Sequence, residues 1–370
     1  MMAAMRLEQP DRVPVCPDIS NMIPCRLTGK PFWDIYLNQD PPIWKAYIEA
    51  VRYFGFDGCL DKGPFRFLYE PGVSTEENVV SRTDERIVKR IVTHTPAGDL
   101  EEEVTCYRAD SPTYTEMPVK DIVEDFEELR YLLRPPTGYD ASEFEASRRE
   151  MGEDGIVCIH IGVPGFQNWF WYIDGGLEAL TYAWYDHHDL MLELRDLEHE
   201  RILRQCAMAL DVKPDVILTG GSGILVLQSP EIFRETGLST LADITRMCKE
   251  AGVLTMVHSG GPTRDLVEMC VDETELNCIK PLEVPPQGDC ELRAFKQDFG
   301  DGICLMGNLH TTEVMWKGTP ADVEAAARQA IDDAAEGGGF ILSTGDQCGR
   351  DTPDENLFAM IEEARSYGTY

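Results

Sequence analysis

The feature that most constrains the fold of this chain is a regular alternation of apolar and helical segments from residue 155 onward. Six short apolar segments are typical of buried strands, at 155–161, 216–218, 253–257, 275–279, 303–308 and 340–343. Segments with helical spacing lie between them, so that one unit repeats roughly every 30–45 residues. Such repeats favour parallel strands joined by crossover helices. We therefore predict an α/β fold with a (β/α)8 TIM-type barrel, formed by one domain over residues 1–370.

The N-terminal part of the chain adds a strand, a helix and an insertion to this barrel. Residues 11–18 have the pattern of a buried strand that ends in a polar residue, and residues 41–54 have helical spacing. Between 79 and 107, two strand-like segments flank Thr95–Asp99, which predicts a small antiparallel hairpin insertion. A doubly wound sheet is less well supported, because Gly220–Gly223 comes late and does not fit the G-x-G-x-x-G pattern.

The charge of the chain limits the partners that it can bind. It holds 33 Lys and Arg residues against 66 Asp and Glu residues, a net charge of −33. Because clustered Lys and Arg bind phosphate groups, this balance argues against nucleic acid and anionic membranes. No apolar run reaches the ~18 residues that span a bilayer, and residues 1–8 lack the layout of a signal peptide. The twelve cysteines form no C-x-x-C pair, so we expect reduced, mostly buried thiols in a cytoplasmic enzyme.

Polar side chains end several of the predicted strands. His258 ends one strand, Glu283 follows the next, and Cys348 follows the last. In a TIM barrel the C-terminal strand ends meet around one rim, where the active site lies. An imidazole, a carboxylate and a thiol that meet there form a mixed nitrogen, oxygen and sulfur site suited to zinc. Structural alternatives remain open: His258 could hold its loop, and Glu283 could cap a helix or pair with a lysine.

Three further polar residues belong to the same rim and are candidate catalytic residues. Asn308 ends the strand 303–308, His310 follows it, and Asp346 follows the last strand. His310 could contact a substrate or cap the helix after it, and the sequence favours neither alternative.

An aromatic run follows the strand 155–161 and the loop after it. Phe166, Trp169, Trp171 and Tyr172 lie within seven residues, and the side chains of this run cannot all face one side of a helix or strand. Some therefore point into the core and others towards the barrel mouth, where they could sandwich a flat ring. These four residues are candidate substrate-binding residues, and packing against neighbouring helices is the alternative.

Several motifs of the chain resemble the uroporphyrinogen decarboxylase superfamily. Their order and spacing match across residues 210–370, and Asp11–Pro14 matches the N-terminal motif. The motifs of the C-terminal part are Ser229–Arg234, Val257–Gly261, Pro281–Glu283, Leu305–Asn308, Ser343–Gly345 and Asp351–Asn356. The resemblance implies a (β/α)8 barrel with its site at the C-terminal strand ends, which agrees with the prediction from the repeat.

The superfamily contains two chemistries. Its decarboxylases open with an arginine-rich motif that binds a polycarboxylate porphyrinogen, whereas residues 17–22 of this chain contain no arginine. The other branch is the zinc-dependent methyltransferases that exchange methyl groups with a corrinoid protein. Its thiol-methylating members carry His-x-Cys on one strand and a distant cysteine on the last. This chain is similar to them in His258 and Cys348, but Gly260 stands at the position of the middle cysteine.

The departure at Gly260 has a chemical consequence. Thiolates donate charge to zinc and favour a substrate thiol as the nucleophile, whereas an oxygen ligand leaves a harder and more Lewis-acidic ion. Such an ion suits an ether oxygen, whose methyl group leaves to cobalt(I) while the departing phenolate is stabilised. Within the branch, the chain resembles most the first methyltransferase component of corrinoid-dependent aryl O-demethylases.

The resemblance therefore implies a methyltransferase that moves a methyl group from a small methylated substrate, in particular a methoxyaromatic, to a corrinoid protein. His258, Glu283 and Cys348 would bind zinc, and the candidate catalytic residues would orient substrate or protons. The chain contains no D-x-H-x-x-G motif, so the corrinoid would come on a separate protein. A homodimer is compatible with the family. Two alternatives remain: a porphyrinogen-type decarboxylase, and a non-catalytic barrel that binds a ligand or a corrinoid protein.

Overall fold

The computed structural model describes residues 1–370 of the chain. The strands are β1 (Gly58–Leu60), β2 (Arg66–Leu68), β3 (Ser74–Arg82), β4 (Arg86–His94), β5 (Asp99–Tyr107), β6 (Thr113–Glu116), β7 (Gly138–Asp140), β8 (Gly155–Ile161), β9 (Val216–Gly220), β10 (Leu254–Ser259), β11 (Cys278–Pro281), β12 (Cys304–Leu309) and β13 (Phe340–Thr344). The helices are α1 (Met2–Met5), α2 (Met22–Leu27), α3 (Phe32–Asn38), α4 (Ile43–Phe54), α5 (Phe126–Leu132), α6 (Ser142–Met151), α7 (Phe166–Trp169), α8 (Gly176–Asp186), α9 (His188–Leu210), α10 (Pro230–Thr236), α11 (Leu238–Ala251), α12 (Arg264–Glu273), α13 (Leu292–Phe299), α14 (Pro320–Ala334) and α15 (Asp354–Tyr367). None of these helices combines the length and the apolar character that crossing a membrane requires.

Seven parallel strands form the central sheet, in the spatial order β1, β8, β9, β10, β11, β12, β13. The segment 13–16 lies between the two outer strands. Cys16 donates its N–H to the carbonyl of Leu342 in β13 at 2.9 Å, and Asp57, directly before β1, donates its N–H to the carbonyl of Val15 at 2.9 Å. The segment stands in the place of an eighth strand and closes the sheet into a barrel. The predicted (β/α)8 TIM-type barrel is confirmed.

Arg12 fixes the closing segment through a carboxylate. Its guanidinium donates to both oxygens of Asp57, at 2.7 and 2.8 Å, and Asp57 Oδ2 also accepts the N–H of Val15 at 2.8 Å. Two parallel hydrogen bonds set the orientation of the two planar groups as well as their distance. The motif Asp11–Pro14 therefore serves to close the barrel. The predicted strand 11–18 is reduced to two isolated bridges, from Val15 to Leu342 of β13 and from Arg12 to Thr369.

The predicted hairpin is present and belongs to a larger antiparallel sheet. β4 and β5 pair around the turn that begins at Thr95, and β3 and β6 pair on their outer sides, so that the insertion spans residues 74–116. Every residue of β3 is exposed. The polar sequences of β3 and β6 carry no alternation of apolar and polar residues, which is why the pattern predicts the inner two strands alone.

A second core, separate from the barrel interior, holds α5, α7, α8 and α9 together. Glu198 of α9 is fully buried beside it and accepts hydrogen bonds from Trp169 Nε1 at 2.7 Å and Asn168 Nδ2 at 2.5 Å. Burial raises the pKa of Glu198 to about 7, and the Arg201 guanidinium, 3.7 Å away, opposes the shift. The aromatic run is thereby tied to the long helix α9 by a carboxyl group that titrates close to neutrality.

We predict that deprotonation of Glu198 lowers the free energy of unfolding as the pH rises from about 5 to about 7. The unfolded carboxyl titrates at its ordinary value of about 4.3, while the folded one titrates at about 7. The folded state therefore binds more protons in this interval, and stability is lost as they dissociate. The difference in unfolding midpoint between the wild type and Glu198→Gln should change across this interval.

A control for this prediction is Glu193→Gln on the same helix, whose side chain is 43% exposed. It should keep the pH dependence of the wild type. A difference between the wild type and Glu198→Gln that does not change with pH would contradict the prediction.

Candidate functional site

His258 lies one residue before the C-terminal end of β10, at the barrel mouth. Its Nε2 atom is buried without a hydrogen-bond partner, and the Oδ1 atom of Asp346 is 3.8 Å away. Burial and the positive charge of Lys280 lower the pKa of His258, so the imidazole is neutral at pH 7. A neutral imidazole is the form that ligates metals. A buried nitrogen without a partner costs free energy, which a bound cation would recover.

Two further carboxylates lie beside this imidazole. Asp18 follows the closing segment 13–16, and Asp61 directly follows β1. A carboxylate oxygen of each and a ring nitrogen of His258 all lie within 4.8 Å of one another. The group offers one nitrogen and two oxygen ligands at the C-terminal ends of strands that are distant in sequence. Such a set suits a divalent cation.

Lys280 of β11 holds these two aspartates in place. Its Nζ atom lies 3.4 Å from Asp18 Oδ2 and also donates a hydrogen bond to Asp61 Oδ2. Only 3% of its side chain is exposed. Burial disfavours the charged ammonium, but the charges of Asp61 and Asp18 outweigh this effect and hold the pKa of Lys280 well above its ordinary value. The barrel mouth therefore contains a fixed positive charge.

Glu283 and Asp346 lie on either side of the place that a side chain at position 260 would occupy. Glu283 Oε2 accepts the N–H of Gly261 at 2.6 Å. A Cβ atom added to Gly260 would lie 3.1 Å from Glu283 Oε2 and 3.7 Å from Asp346 Oδ2. Where a His-x-Cys motif would place its thiolate, this chain has two carboxylate oxygens.

Cys348 is fully buried and donates its backbone N–H to the carbonyl of Asp18 at 2.7 Å. Burial and the negative charge of Asp18 raise the pKa of its thiol to about 12. His258, Glu283 and Cys348 do not form a group whose ligand atoms all lie within 4.8 Å of one another. The structure groups the imidazole with aspartates instead, and the ligand set predicted from the sequence stays a prediction.

The structure gives Asn308 and His310 specific protein contacts. Asn308 is 8% exposed and donates a hydrogen bond from Nδ2 to the sulfur of Cys290 at 3.8 Å. His310 accepts the backbone N–H groups of Thr312 and Glu313 on Nδ1, at 3.2 and 3.3 Å, and so caps the π-helical turn Thr311–Trp316. The Nδ1 atom of His310 therefore has the helix-capping role that the sequence allowed as one alternative. A role of either residue towards substrate stays a prediction.

The structure separates the four aromatic residues that the sequence predicts to bind substrate. Phe166 and Trp169 are 2% and 0% exposed and pack in the second core, where they present no surface to a ligand. These two residues pack as the alternative describes, and their contact with a substrate stays a prediction. Trp171 is 51% exposed, and the hydroxyl of Tyr172 accepts a hydrogen bond from Arg201 at 2.9 Å. Contact with a substrate ring stays a prediction for Trp171 and Tyr172.

Sequence reasoning does not identify Asp18, Asp61 or Lys280 as site residues. Asp61 follows a strand of three residues, which is too short to give a periodic signal. Lys280 does leave a signal, because a lysine within the buried segment Cys278–Pro281 requires a partner. The identity of that partner depends on the barrel closure, which joins residues more than 200 positions apart.

We predict that Lys280→Met destabilises the fold by about 3–5 kcal/mol, because it leaves the buried Asp18 and the partly buried Asp61 without their ammonium partner. The control is Lys249→Met, whose ion pair with Glu275 is exposed at 64% and 47% of the two side chains. Its loss should cost no more than about 1 kcal/mol. Urea unfolding midpoints of the three proteins measure the effect, and equal shifts for both variants would contradict the prediction.

The residues present fit a divalent metal ion. The unpartnered Nε2 atom of His258 lies 3.8 Å from Asp346 Oδ1, and a nitrogen of the same ring lies within 4.8 Å of carboxylate oxygens of Asp18 and Asp61. Both nitrogen and oxygen are ligands that zinc accepts. Lys280 neutralises part of the negative charge of this cluster. His258, Asp18 and Asp61 would hold the ion, and Glu283 adds an oxygen donor beside Gly260.

The fold and this site define the class of the molecule: a TIM-type barrel with a group of potential metal ligands at its mouth. Residues 181–367, half of the chain, match the model of the family described as uroporphyrinogen decarboxylase (URO-D). The chain belongs to this family, which confirms the resemblance found in the sequence motifs.

Two relatives and one solved structure extend the comparison. The chain is 31% identical over 137 residues to methylcobamide:CoM methyltransferase MtbA of Methanosarcina mazei, and 29% identical over 137 residues to MtbA of Methanosarcina acetivorans. The aligned part spans 37% of this chain and 37% of each relative. A solved structure titled as a methyltransferase from Methanosarcina mazei superposes with a TM-score of 0.66 at 18% identity, over 99% of this chain and 97% of that one. This superposition shows a common fold.

Proposed function

We propose that the chain is a zinc-dependent methyltransferase that transfers a methyl group from a small methylated substrate to the cobalt of a separate corrinoid protein. The observation that carries the proposal is the buried, unpartnered Nε2 atom of His258 among carboxylates at the barrel mouth. The names of the two relatives support methyl transfer that involves a corrinoid, over the 37% of their length that aligns.

The surroundings of Gly260 favour an ether as the methyl donor, and in particular a methoxyaromatic. A site with His258 and oxygen donors, in place of a second thiolate, keeps a bound cation hard. Zinc held there would supply Lewis acidity towards an ether oxygen. The exposed ring of Trp171, after β8, offers an apolar surface for the aromatic part of such a substrate.

The chain's own residues have the following proposed roles. Lys280 fixes Asp18 and Asp61 beside His258, so that the ligand set is preorganised. Asp346 orients a proton towards the departing phenolate oxygen. In the overall transfer the carbon–oxygen bond breaks, the methyl group passes to cobalt(I), and the oxygen takes up one proton.

The remaining metal ligands and the residues that orient the substrate are taken from the sequence prediction. Glu283 and Cys348 complete the metal ligands, and Asn308 and His310 orient substrate. The single domain over residues 1–370, the cytoplasmic location and the homodimer also remain predictions.

The carboxylates of the mouth disfavour decarboxylation of a porphyrinogen. Asp18, Asp61 and Asp346 would repel a polycarboxylate substrate, and the ammonium of Lys280 is already paired with two of them. Residues 17–22 also contain no arginine cluster that could bind such a substrate. For this reason we favour methyl transfer within the family.

We predict that the purified protein binds about one equivalent of zinc and methylates free cob(I)alamin from a methoxybenzoate or methoxyphenol. The absorbance change from cob(I)alamin to methylcob(III)alamin measures the rate, and elemental analysis measures the metal. His258→Ala removes the nitrogen ligand, so both zinc affinity and rate should fall more than ~100-fold, beyond what the loss of an outer-shell partner causes.

The control is His188→Ala, because His188 is exposed and pairs with Glu235 on the outside of the barrel. It should keep both the zinc and the rate. Release of carbon dioxide from a polycarboxylate porphyrinogen, without methyl transfer from any methoxyaromatic, would overturn the proposal.

We predict that Gly260→Cys shifts the preference of the enzyme from ethers towards thiols. The new sulfur would stand beside Glu283 and Asp346 and donate more charge to the ion, which weakens its Lewis acidity. Gly260→Ser adds a side chain of similar size without a thiolate and is the matched control. The measurement is the ratio of O-demethylation to thiol methylation, and an equal change in that ratio for both variants would contradict the prediction.

A further inference from the structure

All twelve cysteines of the chain are free and buried, and two of them face a carboxylate inside the barrel. Cys59 lies in β1 and Cys158 in the neighbouring strand β8, with their sulfurs 3.7 Å apart. The Oδ1 atom of Asp61 lies 3.5 Å from the sulfur of Cys59. The two sulfurs and a carboxylate oxygen of Asp61 all lie within 4.8 Å of one another.

These distances agree with those around a tetrahedral ion. Two sulfurs bonded to one zinc at ~2.3 Å stand ~3.8 Å apart, and a sulfur and an oxygen bonded at ~2.3 and ~2.1 Å stand ~3.6 Å apart. The observed separations between Cys59, Cys158 and Asp61 are 3.7 and 3.5 Å. The side chains need little movement to share one cation.

We propose that Cys59, Cys158 and Asp61 form a second metal site, which takes one thiophilic divalent cation such as Zn²⁺ or Cd²⁺. Two sulfur ligands and one oxygen ligand leave the fourth tetrahedral position open. The site shares Asp61 with the His258 site and differs from it in its two sulfur donors, neither of which belongs to the ligand set predicted from the sequence.

The charge of the surroundings supports this assignment. The two carboxylate oxygens of Asp61 contact different neighbours: Oδ2 accepts a hydrogen bond from the ammonium of Lys280, and Oδ1 accepts one from the thiol of Cys59. Buried thiols are neutral without a metal. One divalent cation that displaces both thiol protons therefore leaves the net charge of this buried region unchanged, which avoids the cost of burying an added charge.

The carboxylate of Asp61 is the part of this site that solvent reaches. The sulfurs of Cys59 and Cys158 are buried, whereas the side chain of Asp61 is 21% exposed at the end of β1. A cation that enters the barrel mouth meets this carboxylate before it reaches the thiols.

The test titrates the metal-free full-length protein with Cd²⁺ and follows the ultraviolet charge-transfer absorbance of cadmium–thiolate bonds. We expect a thiolate signal that saturates with the release of about two protons for each cation bound at this site. Cys59→Ala/Cys158→Ala should remove the part of this signal that comes from two thiolates, together with the release of their two protons, and weaken Cd²⁺ binding at this site more than ~100-fold. His258→Ala should retain it, which separates this site from the proposed catalytic one.

Cys206→Ala/Cys248→Ala is the matched control, because these two buried sulfurs lie 4.0 Å apart between α9 and α11 and neither belongs to a group of potential metal ligands. The amplitude of the cadmium–thiolate signal in this double variant should stay within about twofold of the wild-type amplitude. A cadmium-113 NMR spectrum of the wild type checks the donor set without any substitution, and a resonance typical of two sulfurs is expected. A signal and a proton release that are undiminished in Cys59→Ala/Cys158→Ala, or a wild type without any two-sulfur resonance, would overturn the proposal.

Discussion

The buried ammonium of Lys280 is the contact on which the arrangement of the barrel mouth depends. It joins Asp18, which follows the N-terminal closing segment, to Asp61, which follows β1, and these partners lie 262 and 219 residues away in sequence. A buried charge of this kind is tolerated because its partners are fixed by the closure of the barrel. The same contact brings both carboxylates to within 4.8 Å of the His258 ring. The contact that links the closing segment 13–16 to the barrel therefore also brings the site residues together.

The absence of a side chain at Gly260 gives the mouth its chemical character. Carboxylate oxygens of Glu283 and Asp346 face the place where a cysteine would stand. The imidazole of His258 therefore has mainly oxygen donors beside it, whereas the two softer sulfur donors of Cys59 and Cys158 lie together next to Asp61. The proposed transfer from an ether and the proposed second metal site both follow from this separation of hard and soft ligands.

The sequence predicts the barrel well because most of its strands are continuous apolar runs. The strands predicted at 155–161 and 340–343 match β8 and β13 closely, whereas β11 begins at Cys278, three residues later than predicted. The side-chain oxygen of Asn277 accepts the N–H of Thr255 in β10 at 2.9 Å. At this position a side-chain hydrogen bond takes the place of the backbone hydrogen bond that a longer β11 would make. The site was predicted less completely, since its carboxylates meet only through contacts between distant residues.

A metal ion bound to His258 is the central element of the proposed function, and a zinc-edge anomalous difference map from crystals of the purified protein tests its presence directly. The predicted result is a peak ~2.0–2.1 Å from His258 Nε2, with carboxylate oxygens at ~2.0–2.2 Å. A zinc-replete crystal without a peak at this nitrogen, in which the imidazole donates or accepts a hydrogen bond instead, would contradict the account. The barrel architecture would stand in either case.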